Sequence, residues 1–189
     1  GIALILYADN FNDSMPLCRD WASLGGKSGR YDLFVDQTNK PLYQYQGTPE
    51  IFRCPADRGD SQGQRWVNIN CTNCYVQYGT SYLMEWSGDY MRTKRVFGNA
   101  NASRSEYSGQ SMKTSEIAVS PGNKIILGDW LWHMNRGWIS PRSVWHNYKG
   151  KSLCVMLFGD GHAEGYRFPT KPETDPFWNA PPNPTNAWW

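Results

Sequence analysis

The stretch SLCVMLFGDGHAEGYRF, residues 152–168, carries an apolar run into Asp160, Gly161 and His162, and a second run, KIILGDW, carries one into Asp129. Carboxylates at strand ends beside imidazoles can ligate a divalent cation or exchange protons with a substrate. With His146 added, Asp129, Asp160 and His162 form the sharpest candidate for such a site, on one condition. The two strands would have to end at the same edge of a sheet. The competing reading is structural: Asp160 forms a turn, Asp129 caps a loop and the histidines bond local backbone groups. It is the stronger of the two, because no nucleophile elbow, glycine-rich phosphate loop, HExxH helix or EF-hand loop accompanies these residues.

A second chemistry-bearing group is the tryptophan cluster of DWLWHMNRGWISPRSVWH, with Trp130, Trp132, Trp138 and Trp145. Trp130 and Trp132 share one face of an extended segment, and flat rings in a row make a platform on which a glycan or peptide can stack. Packing beneath loops is the other use such rings have. The third group is the cysteines, which number five, so at least one lacks an intrachain partner. Cys71 and Cys74, in CTNC, suit a small disulfide or half of a zinc site. The other half is missing, since Cys18, Cys54 and Cys154 are scattered singly. A redox CxxC normally opens a helix, whereas strand-like residues follow this one. A local disulfide or structural thiols are therefore expected at Cys71 and Cys74.

The elements that must position these groups are short. At 189 residues the chain suits one domain with a core of its own. A net charge of +2 with 19% charged residues gives no basic face for a nucleic acid, so no nucleic-acid partner is expected. Mean hydropathy is −0.65, and aliphatic runs are brief between Gly, Asn, Ser, Asp and Pro, a mixture of short strands and long loops. IALILYA at the start is far shorter than the ~20 residues that cross a bilayer. Residues 2–8 read as the last turns of a helix that exits through DNFNDSMP, and so short a helix needs docking or an upstream part.

Residues 75–86, YVQYGTSYLMEW, are rich in Tyr, Val and Thr and predict a strand; residues 87–111 predict a polar loop outside the core. MKTSEIAVSPGNKIILGDW predicts a helical turn capped by Thr or Ser, a Pro-Gly break and a strand. In residues 153–158 both faces are apolar, which predicts a central strand. Asp160-Gly161 then suits a two-residue type I′ turn, with HAEGYRF returning as the second strand of a hairpin. From Pro169 onward six of the twelve prolines and a final NAWW make a tail that cannot form a ladder.

In order, these pieces resemble the soluble part of bacterial prepilin-type, pseudopilin-like proteins with a C-terminal H-x9-DG processing-associated motif. GIALILYADNFNDSMP resembles the family's helix tail, and IFRCPAD at 51–57 its CPxD element. TSYLME at 80–85 resembles its SYxxN strand and VSPGNKIILGD at 119–129 its following strand. WHNYKGKSLCVMLFGDGHAEG at 145–165 resembles its RHxGG…DGHV ending, placing His146, Asp160, Gly161 and His162 on the motif. Two departures stand out: thirteen residues rather than nine separate His146 from Asp160, and Glu85 occupies a place where the family often has Asn.

The resemblance implies an α+β, pilin-like fold. Its N-terminal helix, of which residues 1–9 would be the end, packs on an antiparallel sheet with long irregular loops. Residues 1–168 would be a single globular domain and 169–189 a Pro/Trp-rich tail. It implies a basic leader and an apolar helix upstream, cut by a prepilin peptidase, that anchors the subunit in the membrane of the cell envelope with the domain periplasmic or extracellular. The function implied is non-enzymatic: a subunit or accessory of a type II secretion or type IV pilus-like assembly, partnered by other pilin-like subunits and the machinery. No cofactor is expected. Some major pseudopilins of type II secretion hold calcium with loop carboxylates, which makes Asp129 and Asp160 cation candidates. In the family's terms GDGH is a hairpin tip, with Gly161 supplying φ > 0 and Asp160 bonding local amides. Two other readings compete: an exported carbohydrate- or matrix-binding module working through Trp130, Trp132 and Trp138, and a metal-dependent hydrolase working through Asp160.

Overall fold

The structure, a computed structural model, describes residues 1–29, 35–60, 70–86, 95–129, 145–148 and 151–166. In chain order its strands are β1 (Leu17–Cys18), β2 (Tyr82–Met84), β3 (Gly98–Asn99), β4 (Ile125–Asp129), β5 (His146–Tyr148), β6 (Lys151–Phe158) and β7 (Ala163–Tyr166). Its α-helices are α1 (Ile2–Asn10), α2 (Cys74–Tyr78) and α3 (Thr114–Ile117). Five strands form one antiparallel sheet in which β6 pairs with β4, β5 and β7, and β4 pairs on with β2. β1 and β3 form a separate two-residue parallel pair. Helix and antiparallel sheet are thus both present, and the class is α+β.

β6 is central, as its two apolar faces predict. Cys154, Met156 and Phe158 join Leu83 and Ile125 in one buried cluster, together with Cys54, Cys71, Cys74, Tyr78 and Trp145. Met84 and Ile126 point into a second cluster, against which Leu127 and Leu157 pack from the sheet. Strand side chains alternate between faces, so a sheet buried on both sides must be apolar at every position.

The second cluster holds α1. Nine residues make a helix too short to persist alone in water, and Gly1 supplies no side-chain cap. Burial of Leu4 and Ala8 stabilises it instead, with Leu4 in the cluster that contains Met84, Phe97, Ile117 and Ile126. The exit predicted at DNFNDSMP is present: Asn12 and Asp13 take positive φ of 51° and 59°, a region these two residue types tolerate better than others. Asp13 then accepts the N–H of Thr114 at 2.8 Å, tying the end of α1 to the start of α3.

Four sequence expectations need correction. Residues 75–86 are not one strand: α2 occupies Cys74–Tyr78, and only Tyr82–Met84 is extended. Caps at both ends outweigh the strand propensity of Tyr and Val. Asn73 accepts the N–H of Val76 at 2.9 Å, and Gly79 closes the helix at φ 84°. Within 87–111, Val96 and Phe97 are core residues, at 3% and 0% exposure, and Phe97 bonds the carbonyl of Glu85. α3 lies where the helical turn was expected, but its N-cap is Lys113 rather than a Thr or Ser, and the Lys113 N–H donates back to the Glu116 carboxylate at 2.7 Å. The fourth concerns the hairpin tip, which is a three-residue loop. Gly161 donates to Phe158 at 3.0 Å and has φ 88°, while Asp160 stays out of the left-handed region that a type I′ turn would require of it.

Glu85 also finds its reason. Its carboxylate pairs with Arg95 at 3.2 Å, both side chains about 5% exposed or less, so the buried charge is met by a guanidinium.

Candidate functional site

The residues proposed as one carboxylate site are not together. Asp129 ends β4 and Asp160 follows the end of β6, but these strands run antiparallel with Ile125 opposite Phe158. Asp160 therefore lies beyond the start of β4, near Gly122, and the length of that strand, about 13 Å at 3.3 Å per residue, lies between the two carboxylates. Asp160 is exposed and bonds the backbone N–H of His162 at 3.0 Å and its ring at 2.5 Å. Those contacts, the backbone one foremost, hold its carboxyl below the ordinary value. It is the turn former of the structural reading, and a shared calcium or hydrolytic site on Asp129 and Asp160 has no geometric basis.

What the fold assembles instead is Cys54, Asp129 and His146. β4 delivers Asp129 beside the middle of β6, where its Oδ2 accepts the N–H of Val155 at 2.7 Å. β5 delivers His146 opposite Leu153 of the same strand. His146 Nδ1 and Asp129 Oδ2 are 2.7 Å apart. The other face of the imidazole meets a loop: Cys54 Sγ is 3.7 Å from His146 Nε2. Carboxylate, ring and sulfur thus lie in sequence along one line of contacts. One polar atom of each of the three residues lies within 4.8 Å of one from each of the others.

Local chemistry tunes each member. The Asp129 contact raises the pKa of His146, outweighing the opposing effect of burial. Cys54 is 4% exposed, and burial raises its thiol, with the N–H groups of Ala56 and Asp57 pulling the other way. Tyr82 lies against Cys54, and its phenol is raised by burial first and by the nearby sulfur and Asp129 in addition. Asp129 Oδ1 is buried and has no hydrogen-bond partner among the described residues.

The loop that presents Cys54 is fixed by Asp57, three residues on. Its carboxylate accepts the N–H of Gly59 at 2.8 Å, of Cys74 and Tyr75 at 2.9 Å each, and the hydroxyl of Ser81 at 2.7 Å. The CPAD text therefore does two jobs: Cys54 faces the histidine, and Asp57 ties its loop to the first turn of α2 and the approach to β2.

The remaining sequence candidates fall out as follows. His146, Asp160, Gly161 and His162 do not converge: the first belongs to the Cys54 cluster, and the other three build the hairpin tip. Trp145 is buried, and its Nε1 donates to Gly59 at 3.0 Å, so it is not a stacking platform. Trp130, Trp132 and Trp138, like the tail at 169–189, lie outside the described residues. Cys71 and Cys74 are neighbours with sulfurs 3.8 Å apart, free thiols rather than a disulfide in this structure, and both are fully buried. In the sequence Cys54 stands alone within CPAD; only the folded loop brings it to His146 and Asp129. Among the described residues no helix is long and apolar enough to cross a membrane. The chain matches no protein-family profile, no curated protein and no solved structure with which it was compared.

Proposed function

We propose that the chain is the globular part of a pseudopilin-like envelope subunit, non-enzymatic, which packs with other pilin-like subunits through its N-terminal helix in a type II secretion or type IV pilus-like assembly. The observation that carries this reading is the two-sided character of α1. Leu4 and Ala8 are buried against the sheet, yet Ile2, Ile5 and Leu6 on the helix and Phe11 just beyond it are 77%, 58%, 45% and 49% exposed. A surface helix ordinarily turns polar residues outward. Contiguous apolar side chains on the outer side mark a surface that meets a partner or a membrane. The five stretches of sequence that resemble the family also support it, since they supply α1, the Cys54 loop, β2, β4 and the β5–β6–β7 unit.

Site-specific photocrosslinking in cells tests this reading. A photoreactive residue at Ile5 of the full-length protein is expected to yield adducts with a second pilin-like subunit, and one at the buried Ala8 is expected to yield none. Monomer alone from both positions, in cells that make the protein at normal levels, would contradict it.

A further inference from the structure

We propose that the cleft between the C-terminal end of α1 and residues 104–113 is a binding site for an acidic saccharide, a sugar that carries a carboxylate. This goes beyond the subunit function and does not depend on it. The cleft lies past the apolar side of the helix and shares only Phe11 with it.

Its dimensions are those of a small-ligand site. The volume is about 560 Å³, within the range of clefts that take an organic molecule rather than a single ion. The two walls are joined before any ligand arrives. Met15 donates its N–H to the Met112 carbonyl at 2.9 Å, and the Ser111 hydroxyl donates to the Met15 carbonyl at 2.5 Å. A cleft held in this way spares the ordering cost that a loose surface would add to binding.

Charge gives the sign of the ligand. Arg104 and Lys113 line the cleft and are exposed, no carboxylate is among its lining residues, and neither cation forms an ion pair among the described residues. Burial above all raises the Tyr7 phenol, and the Arg104 guanidinium acts against it, so ring and cation share one end of the cleft. A guanidinium presents a planar fork of donors that fits a carboxylate, and the Lys113 ammonium adds a second charge.

The rest of the lining points to the body that carries the carboxylate. Tyr7 stacks on Phe11 with ring centroids 4.2 Å apart and planes 14° from parallel, and Tyr45 meets Tyr7 edge-on at 5.8 Å. Phe11, backed on one face by Tyr7 and 49% exposed, keeps a flat surface for the C–H side of a pyranose. Sugar hydroxyls need both donors and acceptors. The Asn12 amide and the Gln110 side-chain oxygen are uncommitted among the described residues, while the Gln110 side-chain nitrogen donates to the Arg104 carbonyl at 3.3 Å. An acidic peptide would engage the two cations and leave the ring face and these amides unused; a neutral sugar would leave the cations unused.

Calorimetric titration of the full-length protein with a galacturonic acid trisaccharide, and with the neutral galactose trisaccharide, tests the site. The acid is expected to bind about tenfold more tightly or better, with an affinity that falls as salt screens the exposed cations. Arg104→Gln should remove most of that preference, and Phe11→Leu, which keeps an apolar side chain but loses the flat ring, should weaken the acid about threefold or more. Arg53→Gln, at an exposed arginine outside the cleft, should change nothing. Arg104, Phe11 and Arg53 are all exposed, so these variants should fold as the parent does. No binding of the acid, equal binding of acid and neutral sugar, or a preference that survives Arg104→Gln would overturn the proposal. Equally tight binding of a glutamate tripeptide would also overturn it, and would give the cleft to acidic peptides.

Discussion

Asp57 shows how much one side chain can organise. Its four bonds join a loop, the first turn of a helix and the residue before a strand, and two of the four go to N–H groups at the start of α2 that have no partner within the helix. Replacing it with Ala would leave those buried donors unmet, at roughly 1–3 kcal/mol for each group that water cannot reach. Asp57→Ala is therefore expected to lower the unfolding free energy by about 3 kcal/mol or more, read from denaturant midpoints. Because the same loop presents Cys54, the variant should also expose that thiol to alkylation. A loss under 1 kcal/mol would mean that solvent replaces these bonds. At this scale the sequence was only half legible. The text CPAD marked the right residues, but nothing local says that Cys54 and His146, 92 positions apart, will touch. The sequence offers Asp129 as a loop cap or a cation candidate; its burial beside Val155 is a consequence of strand register, which no spacing in the sequence reveals.

Among elements, the helical turn before β4, the central β6 and the returning β7 were legible because periodicity and turn residues agree there. α2 was not, since its five residues have the composition of a strand and only the caps at Asn73 and Gly79 decide otherwise. The hairpin tip was read in the right place with the wrong loop length. One glycine at positive φ suffices when a third residue joins the loop. Its Asp160 makes a pH prediction. A carboxyl held below its ordinary value in the folded state contributes stability that is present above about pH 3.9, the unfolded pKa, and is lost as pH falls through the depressed value. The stability difference between the parent and Asp160→Asn should be small because the group is exposed, constant above about pH 5, and should vanish in acid. A difference that grows on acidification would reverse the sign and assign the stabilisation to another group.

For the whole molecule, the sheet divides two tasks between its faces. One face packs the loops that carry Cys54, Cys71 and Cys74, together with Trp145; the other holds α1, whose outer side is apolar. Cys54 and α1 thus belong to different buried clusters, and a Cys54 variant is not expected to disturb the packing of α1. The helix joined to a sheet was legible from the run IALILYA and the alternation in β6. The second cluster was less so, because Val96 and Phe97 lie within a stretch of polar text. The central claim is that the protein travels the pilin route, and the mass of the mature N-terminus tests it most directly. The full-length protein is to be expressed in cells with and without a prepilin peptidase and its N-terminal peptide weighed. The account predicts a shortened, N-methylated terminus only where the peptidase is present. An unprocessed chain in both, or one cut by ordinary signal peptidase, would contradict it.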